Sequence, residues 1–415
     1  MVTIVLASPA TAADPTNAFA RDRNVPVAER VLPDIPVRHL GSFIIDPEMK
    51  AGIALVDNLF YTRGGKVSAA AVQLDPSFDI RSDWSRHAVH ALVQVDADEF
   101  ASHTSENTVG ETLLADGRYD IGRATNLSGG VGFTHGYDPR YATTSPLKAK
   151  HPVRVDSQTA KLQFATEGSR LRFVAGSTYA DLNYFDATDR DTGAVIDQDY
   201  RDAKQWLGET RLEYALLPDT SVYVVYQGVR SDYKVKTDPV AGTVDHSSSG
   251  YNYALGASFD LTALVTGEVE YGYLRRTYKY AAFKPISGPS YKVKLSYFPT
   301  RLETITFNAS RSVEETPAID VSGYIRTAES LAIDHEWSRL LILSASFSAE
   351  TDRYNSDTRR DRFRSLFIGA RYSASRNVSI VGGYTYRSLS SQGSAVPAGF
   401  GYTANQVSVS LAYKF

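Results

Sequence analysis

The sequence predicts an all-β fold, a transmembrane antiparallel up-and-down barrel of about eighteen strands, with sixteen as the alternative count. Three observations predict it. Apolar and polar residues alternate along segments too long for a soluble sheet. The connections alternate between tight and long. The last alternating segment ends on an aromatic residue, Phe415.

In chain order, the N-terminus reads MVTIVLASPATAADP. An apolar stretch followed by Ala10-Thr11-Ala12 has the small-x-small form of a secretory cleavage site, so residues 1–12 are expected to be the remainder of a signal peptide. Residues 13–41 hold Pro15, Pro26, Pro33 and Pro36 without any period. They read as an irregular leader, lying in the periplasm or inside a lumen.

Residues 42–415 read as one barrel. Period two begins at Phe43, with strands expected near 43–57, 66–81, 86–99, 109–122, 126–137, 152–166, 170–186, 199–216, 220–235, 248–262, 265–279, 288–299, 302–314, 320–336, 339–353, 361–374, 377–390 and 402–415. Val269, Tyr271 and Tyr273 alternate with Glu268 and Glu270, and Leu341, Leu343, Ala345 and Phe347 with Ser344 and Ser346. Successive side chains of a strand point to opposite faces, so each segment has one apolar and one polar face. A soluble sandwich shows the same alternation, but its strands cluster near ~5–6 residues, whereas these run about 12–16. Connections after even strands are tight, as at Leu217 to Asp219, and most after odd strands are long and polar, as at 138–151 and 187–198. Short periplasmic turns and long external loops give that pattern, with an even strand number and both termini periplasmic.

The last strand places Val407, Val409, Leu411, Tyr413 and Phe415 on one face and Ser408, Ser410, Ala412 and Lys414 on the other. Leu411, Tyr413 and Phe415 resemble the C-terminal signal by which the bacterial outer-membrane assembly machinery recognises its barrels. That machinery and the outer-membrane lipids are the expected partners.

Composition fits this reading. The 415 residues include 26 Tyr and no Cys, with a formal net charge of -3. Tyr gathers at membrane–water interfaces. Without Cys there are no disulfides, Cys-based zinc sites or thiol nucleophiles. Near-neutral charge argues against a nucleic-acid partner, which needs a basic face. Apolar runs such as Leu340 to Leu343 fall far below the ~18 residues of a spanning helix.

Two stretches, SFIIDPEMKAGIALVDNLFYT (42–62) and RSDWSRHAVHALVQVDADEFASHTSENTVGETLLADGRYDIGR (81–123), resemble the "β-barrel porin 2" family, with RSDWSRH and GRYDI the most distinctive words. Many members are alphaproteobacterial, and some are encoded beside exopolysaccharide genes. The resemblance implies an outer-membrane location, a barrel fold and a link to polysaccharide export components. It supplies no catalytic residues.

The polar face predicts the residues that meet solute. Glu209, Arg211 and Glu213 form one lumen-facing row, Glu268 and Glu270 another, Lys161 and Gln163 a third. Such rows set a transverse field and select solutes by charge, or neutralise one another in a wet interior. A one-residue slip would put these charges in lipid, where a mid-membrane Arg costs ~2–4 kcal/mol. Arg81, Trp84, Arg86 and His87 cluster at a periplasmic turn, as turn and interfacial-belt chemistry or as a contact for a periplasmic partner. Tyr179, Tyr184, Phe185, Tyr278 and Tyr280 lie near external strand ends, as girdle aromatics or as a sugar-stacking path. No enzyme is expected: His87 and His90 have Ser82 and Ser85 nearby, but no GxSxG motif accompanies them. No cofactor or metal is expected either. Asp189, Asp191, Asp197 and Asp199 do not have EF-hand spacing and read as a solvated acidic loop. The expected function is a passive pore for small-solute diffusion or polysaccharide export, or else a non-conducting scaffold whose lumen is closed by loops or by the leader.

Overall fold

The computed structural model describes residues 26–29, 38–237, 243–262, 264–316, 321–355, 358–393, 396 and 400–415. Residues 1–12, expected from the sequence to be the remainder of a signal peptide, and most of the expected leader 13–41 lie outside the described residues.

Eighteen antiparallel strands form the wall: β1 (Phe43–Val56), β2 (Ala69–Ser82), β3 (Ala88–Phe100), β4 (Thr108–Asp120), β5 (Thr125–Tyr137), β6 (Arg154–Glu167), β7 (Leu171–Tyr184), β8 (Ala203–Leu217), β9 (Thr220–Tyr233), β10 (Ser248–Leu261), β11 (Val265–Tyr278), β12 (Ile286–Tyr297), β13 (Glu303–Glu315), β14 (Gly323–Ser338), β15 (Leu341–Tyr354), β16 (Arg360–Ser373), β17 (Val378–Gln392) and β18 (Tyr402–Lys414). Each pairs with the next, and β18 pairs back onto β1 from Lys414↔Glu48 to Gln406↔Val56, which closes the wall. Closure leaves the eighteen-strand wall itself without a free edge, the condition for placing strands in hydrocarbon. A three-residue strand, Arg38–Leu40, folds back onto the start of β1 through Gly41, whose φ of 62° suits a residue without Cβ. Among the described residues no helix is long and apolar enough to cross a membrane.

The alternation sets which side is which. Leu162 on β6 is 57% exposed and Leu255 on β10 is 67% exposed, and Val131, Tyr271, Val409 and Leu411 likewise stand uncovered on the outer wall. Apolar surface of that extent belongs against lipid, not water. The buried clusters instead lie at the long-loop end, where loops fold inward: Val153, Val155, Leu182 and Tyr184 form one, and Leu389, Tyr402 and Ala404 another.

Three sequence expectations shift. The eighth strand starts at Ala203 and not 199, because Asp199–Arg201 forms a 3-10 turn. The β14–β15 hairpin turns at 339–340, after a bulge between Glu336 and Ser338 that carries β14 past Trp337. Loop alternation is also not strict: connection 355–359 is no longer than the turns 83–87 and 298–302.

Candidate functional site in the lumen

Opposite the outward leucines, the inner wall of β7–β12 carries a dense charge network. On β8, Arg211 donates from Nε to Glu213 at 3.1 Å and from Nη1 to Glu268 of β11 at 3.2 Å. Its guanidinium lies 3.5 Å above the Tyr223 ring, whose hydroxyl donates to Glu268 at 2.9 Å. Glu213, fully buried, also accepts from Ser221 and, at 3.2 Å, from Ser258, with Arg172 of β7 3.9 Å away. Buried charges persist only when paired and hydrogen-bonded in this way. Tyr223 can lie flat because its register partner on β10 is Gly256, where a Cβ would meet the ring at 2.1 Å.

Glu209 sits one turn of the pleat further along and accepts from Gln227 at 2.7 Å. Beside it, Glu268 and Glu270 of β11 stand in register with Lys294 and Lys292 of β12. These six residues, Glu209, Arg211, Glu268, Glu270, Lys292 and Lys294, line a cavity of about 390 Å³. Two predicted rows, Glu209–Glu213 and Glu268–Glu270, therefore meet. Lys161 and Gln163 do not join them; they lie on β6, on either side of the outward Leu162, with Asp116 of β4 the acid whose field reaches Lys161. Sequence reading missed the basic row as a partner, although Lys292 and Lys294 alternate in the same manner.

A second network lies on β14 and β15. Arg326 grips Asp352 with two 3.0 Å bonds and reaches Glu350 at 2.8 Å. Between the two walls, below the β5–β6 loop, is a cavity of about 530 Å³ that Leu182, Arg201, Tyr233, Arg326 and Glu350 help to line.

The β5–β6 connection, 138–153, is no free external loop. Asp138, fully buried, accepts from Arg201 at 2.6 Å, and that guanidinium stacks 3.9 Å over Tyr184. Arg140 forks onto Glu106 at 2.8 and 2.6 Å. Tyr141 packs on Tyr61 and Phe363, and its carbonyl accepts from Tyr402 at 3.3 Å. A loop rooted between β5 and β6 thus touches β16 and β18, so it crosses the mouth. At the short-turn end a piece of the leader enters the lumen. Val27 is fully buried and its N–H donates to Thr304 of β13 at 3.0 Å; the Ala28 carbonyl accepts from Arg371 of β16 at 3.1 Å.

The remaining candidates disperse. Arg81 belongs to β2 and lies 3.5 Å from Asp79. Trp84 donates to Ser42 at 3.1 Å and meets Phe43 edge-on, Arg86 donates to the Asp120 carbonyl at 3.1 Å, and His87, at φ 62°, stacks on Tyr119. His90 is held between Asp79 at 2.8 Å and Asp116 at 2.7 Å, while Ser82 Oγ accepts the Val89 N–H at 2.9 Å, so this Ser and His do not pair. Of the external aromatics, Tyr179 stands beside Trp206 on the outer wall, but Tyr184 and Tyr278 turn inward, onto Arg201 and Phe283. Of the four loop acids, Asp197 and Asp199 approach Asp186, whereas Asp189 caps its own turn and Asp191 pairs with Lys148 at 3.1 Å. Leu411, Tyr413 and Phe415 share the outer face, the last two meeting edge-on at 4.9 Å.

Residues 38–415 match the model of the family described as "Putative beta-barrel porin 2". No curated protein matches. Similar solved structures include the ferric enterobactin receptor PfeA of Pseudomonas aeruginosa, at 8% identity and TM-score 0.49 over 89% of this chain and 80% of that one. OccAB2 of Acinetobacter baumannii is similar at 10% identity and TM-score 0.48, over 91% of this chain and 100% of that one. The ferric-catecholate import receptor Fiu of E. coli K12 is similar at 11% identity and TM-score 0.47, over 92% and 82%.

Proposed function

Because the chain belongs to the β-barrel porin family whose model spans its residues 38–415, and is an outer-membrane barrel of porin-like build, we propose that it is a passive pore for small hydrophilic solutes. The observation that carries this is the charged lumen: an acidic row on β8 and β11 beside a basic row on β12, lining a cavity of about 390 Å³, the size of a small-molecule site. Solutes cross by diffusion, screened by width under the β5–β6 loop and by the field between the rows, with no energy input. Both termini face the periplasm and the long loops face outward. Export of a polysaccharide through the same lumen requires the β5–β6 loop to leave the mouth. No chemistry is assigned to His87 or His90, and the C-terminal Leu411, Tyr413 and Phe415 serve recognition by the assembly machinery.

The docking of Val27–Ala28 on β13 and β16 favours a second reading, a barrel closed from the short-turn end by its leader. Planar-bilayer recording of the purified chain separates the two. Stable conductance steps support the open pore. Silence that turns to conductance on deleting residues 14–41 supports the closed one. Silence of the intact chain, of that deletion and of a loop-released Arg140→Gln/Tyr141→Ala variant overturns both.

A further inference from the structure

The outer wall just below the long loops carries charge in two ways. On β6–β9 and the loop after β11, bases have acids: Arg154–Asp156 at 3.2 Å, Lys204–Asp181 at 3.8 Å, Arg230–Asp232 at 2.8 Å and Lys279–Asp232 at 3.0 Å. On β13–β16 the same level holds Arg311, Arg353, Arg360, Arg362 and Arg364, and among the described residues none of these five has a salt bridge. All five share the outward parity of Phe307, Phe347 and Ile368. The outward acid of this sector, Glu329, is in register with Ala349, so all of β15 lies between it and Arg364.

Arg353 and Arg360 are direct cross-strand partners, and Arg362 follows on the same face. Arg353 and Arg362 both lie close enough to repel the Arg360 charge. Like charges opposite each other destabilise a sheet. Arg360 Nε is moreover buried and has no hydrogen-bond partner among the described residues. Clustered guanidinium groups with an unused buried donor make a site that an anion would stabilise. The wall faces lipid, and Arg353 and Arg360 stand at the loop-side ends of their strands, so the anion comes from a headgroup. Guanidinium forks match phosphate oxygens two at a time, and a patch spread over several strands suits a headgroup with more than one phosphate.

We propose that the outer face of β15 and β16, through Arg353, Arg360 and Arg362 and flanked by Arg311 and Arg364, binds the phosphorylated saccharide base of an outer-leaflet glycolipid. The assignment rests on the reading that the long loops point outward. It adds a lipid site on the wall that is independent of what crosses the lumen.

The test uses the full chain purified from outer membranes. Binding of purified lipopolysaccharide, of the same lipid after phosphate removal, and of phosphatidylglycerol vesicles is measured for the native protein, for Arg353→Gln/Arg360→Gln/Arg362→Gln, and for an Arg154→Gln/Arg230→Gln control. Loss of even one charged hydrogen bond is worth about tenfold in affinity. The triple variant and the dephosphorylated lipid should therefore each bind at least about tenfold more weakly, and the control should match the native protein. Equal affinity of the native and triple-variant proteins overturns the site, and tighter binding to phosphatidylglycerol overturns the glycolipid assignment. Heat-modifiable gel mobility certifies the fold; if the triple variant misfolds, Arg360→Gln alone carries the same comparison. A Thr192→Cys protein that no impermeant label reaches on intact cells sinks the orientation and the glycolipid with it. The pore reading stands or falls separately, on conductance.

Discussion

At the scale of single residues, the lumen wall depends on one absent side chain. Tyr223 lies over Gly256, and on that ring rests Arg211, which holds Glu213 and Glu268. Gly256→Val fills the space that the ring uses. It should displace Tyr223, release its bond to Glu268 and lower stability by about 1–3 kcal/mol, as overpacking does; urea unfolding in micelles measures this. The basic row makes a separate prediction. Lys292→Gln/Lys294→Gln removes the positive side of the field and leaves Glu268 and Glu270 facing the cavity. Reversal potentials in a salt gradient should shift toward cation preference, and an unchanged potential means that these rows do not meet the permeating ion. Residue parity was legible in the sequence because the period of two is exact in a strand. The pairing of the rows was not, because it depends on the register between β11 and β12, which no single strand encodes.

At the scale of elements, strands were legible and loops were not. Eighteen runs of alternation survive as eighteen strands because every residue of a closed wall must choose lipid or lumen. The inward fold of 138–153 has no such periodic mark; it is fixed by pairs far apart in sequence, Asp138 with Arg201 and Arg140 with Glu106. Arg201→Leu leaves Asp138 without its cationic partner, with only the Thr144 hydroxyl, 3.4 Å away, still donating to it. A buried pair broken on one side costs ~3–5 kcal/mol, enough to free the loop. Protease sensitivity within 138–153 and single-channel conductance should both rise. The β9–β10 loop has its own sensitivity to acid. His246 is buried among Tyr233 and Phe283, which pushes its imidazole down to about 4, against the opposing pull of Asp245. Below its unfolded value near ~6.5, the opened loop binds the proton and the packed loop does not. Packing is therefore full above that pH, weakens as pH falls toward the folded value, and loses on the order of 3 kcal/mol by then. Hydrogen exchange across 243–247 should accelerate over that window, and His246→Gln should flatten the response.

At the scale of the whole molecule, the barrel is defined by which face of an unbroken wall meets lipid, and neighbouring residues on one strand decide it. Leu162 and Gln163 are adjacent near the middle of β6, the first exposed on the outer wall and the second turned to the lumen with Lys161. Their backbones share the same ladder, pairing with Gly129 and Ser128 on one side and with Ser177 and Gly176 on the other. Strand propensity and register are therefore nearly constant between them, and only the medium differs. An Arg at the outer position must enter hydrocarbon at a cost of ~2–4 kcal/mol, whereas at the inner one it stays in water. Leu162→Arg should lower the folding free energy in lipid vesicles by that amount, and Gln163→Arg should leave it within ~0.5 kcal/mol, the scale of ordinary surface changes. Equal costs at the two positions mean that the wall does not separate lipid from water. A larger cost at 163 means that the parity is reversed, with Arg211, Glu213 and Glu268 facing hydrocarbon, which their mutual ion pairs would then have to sustain without a lumen.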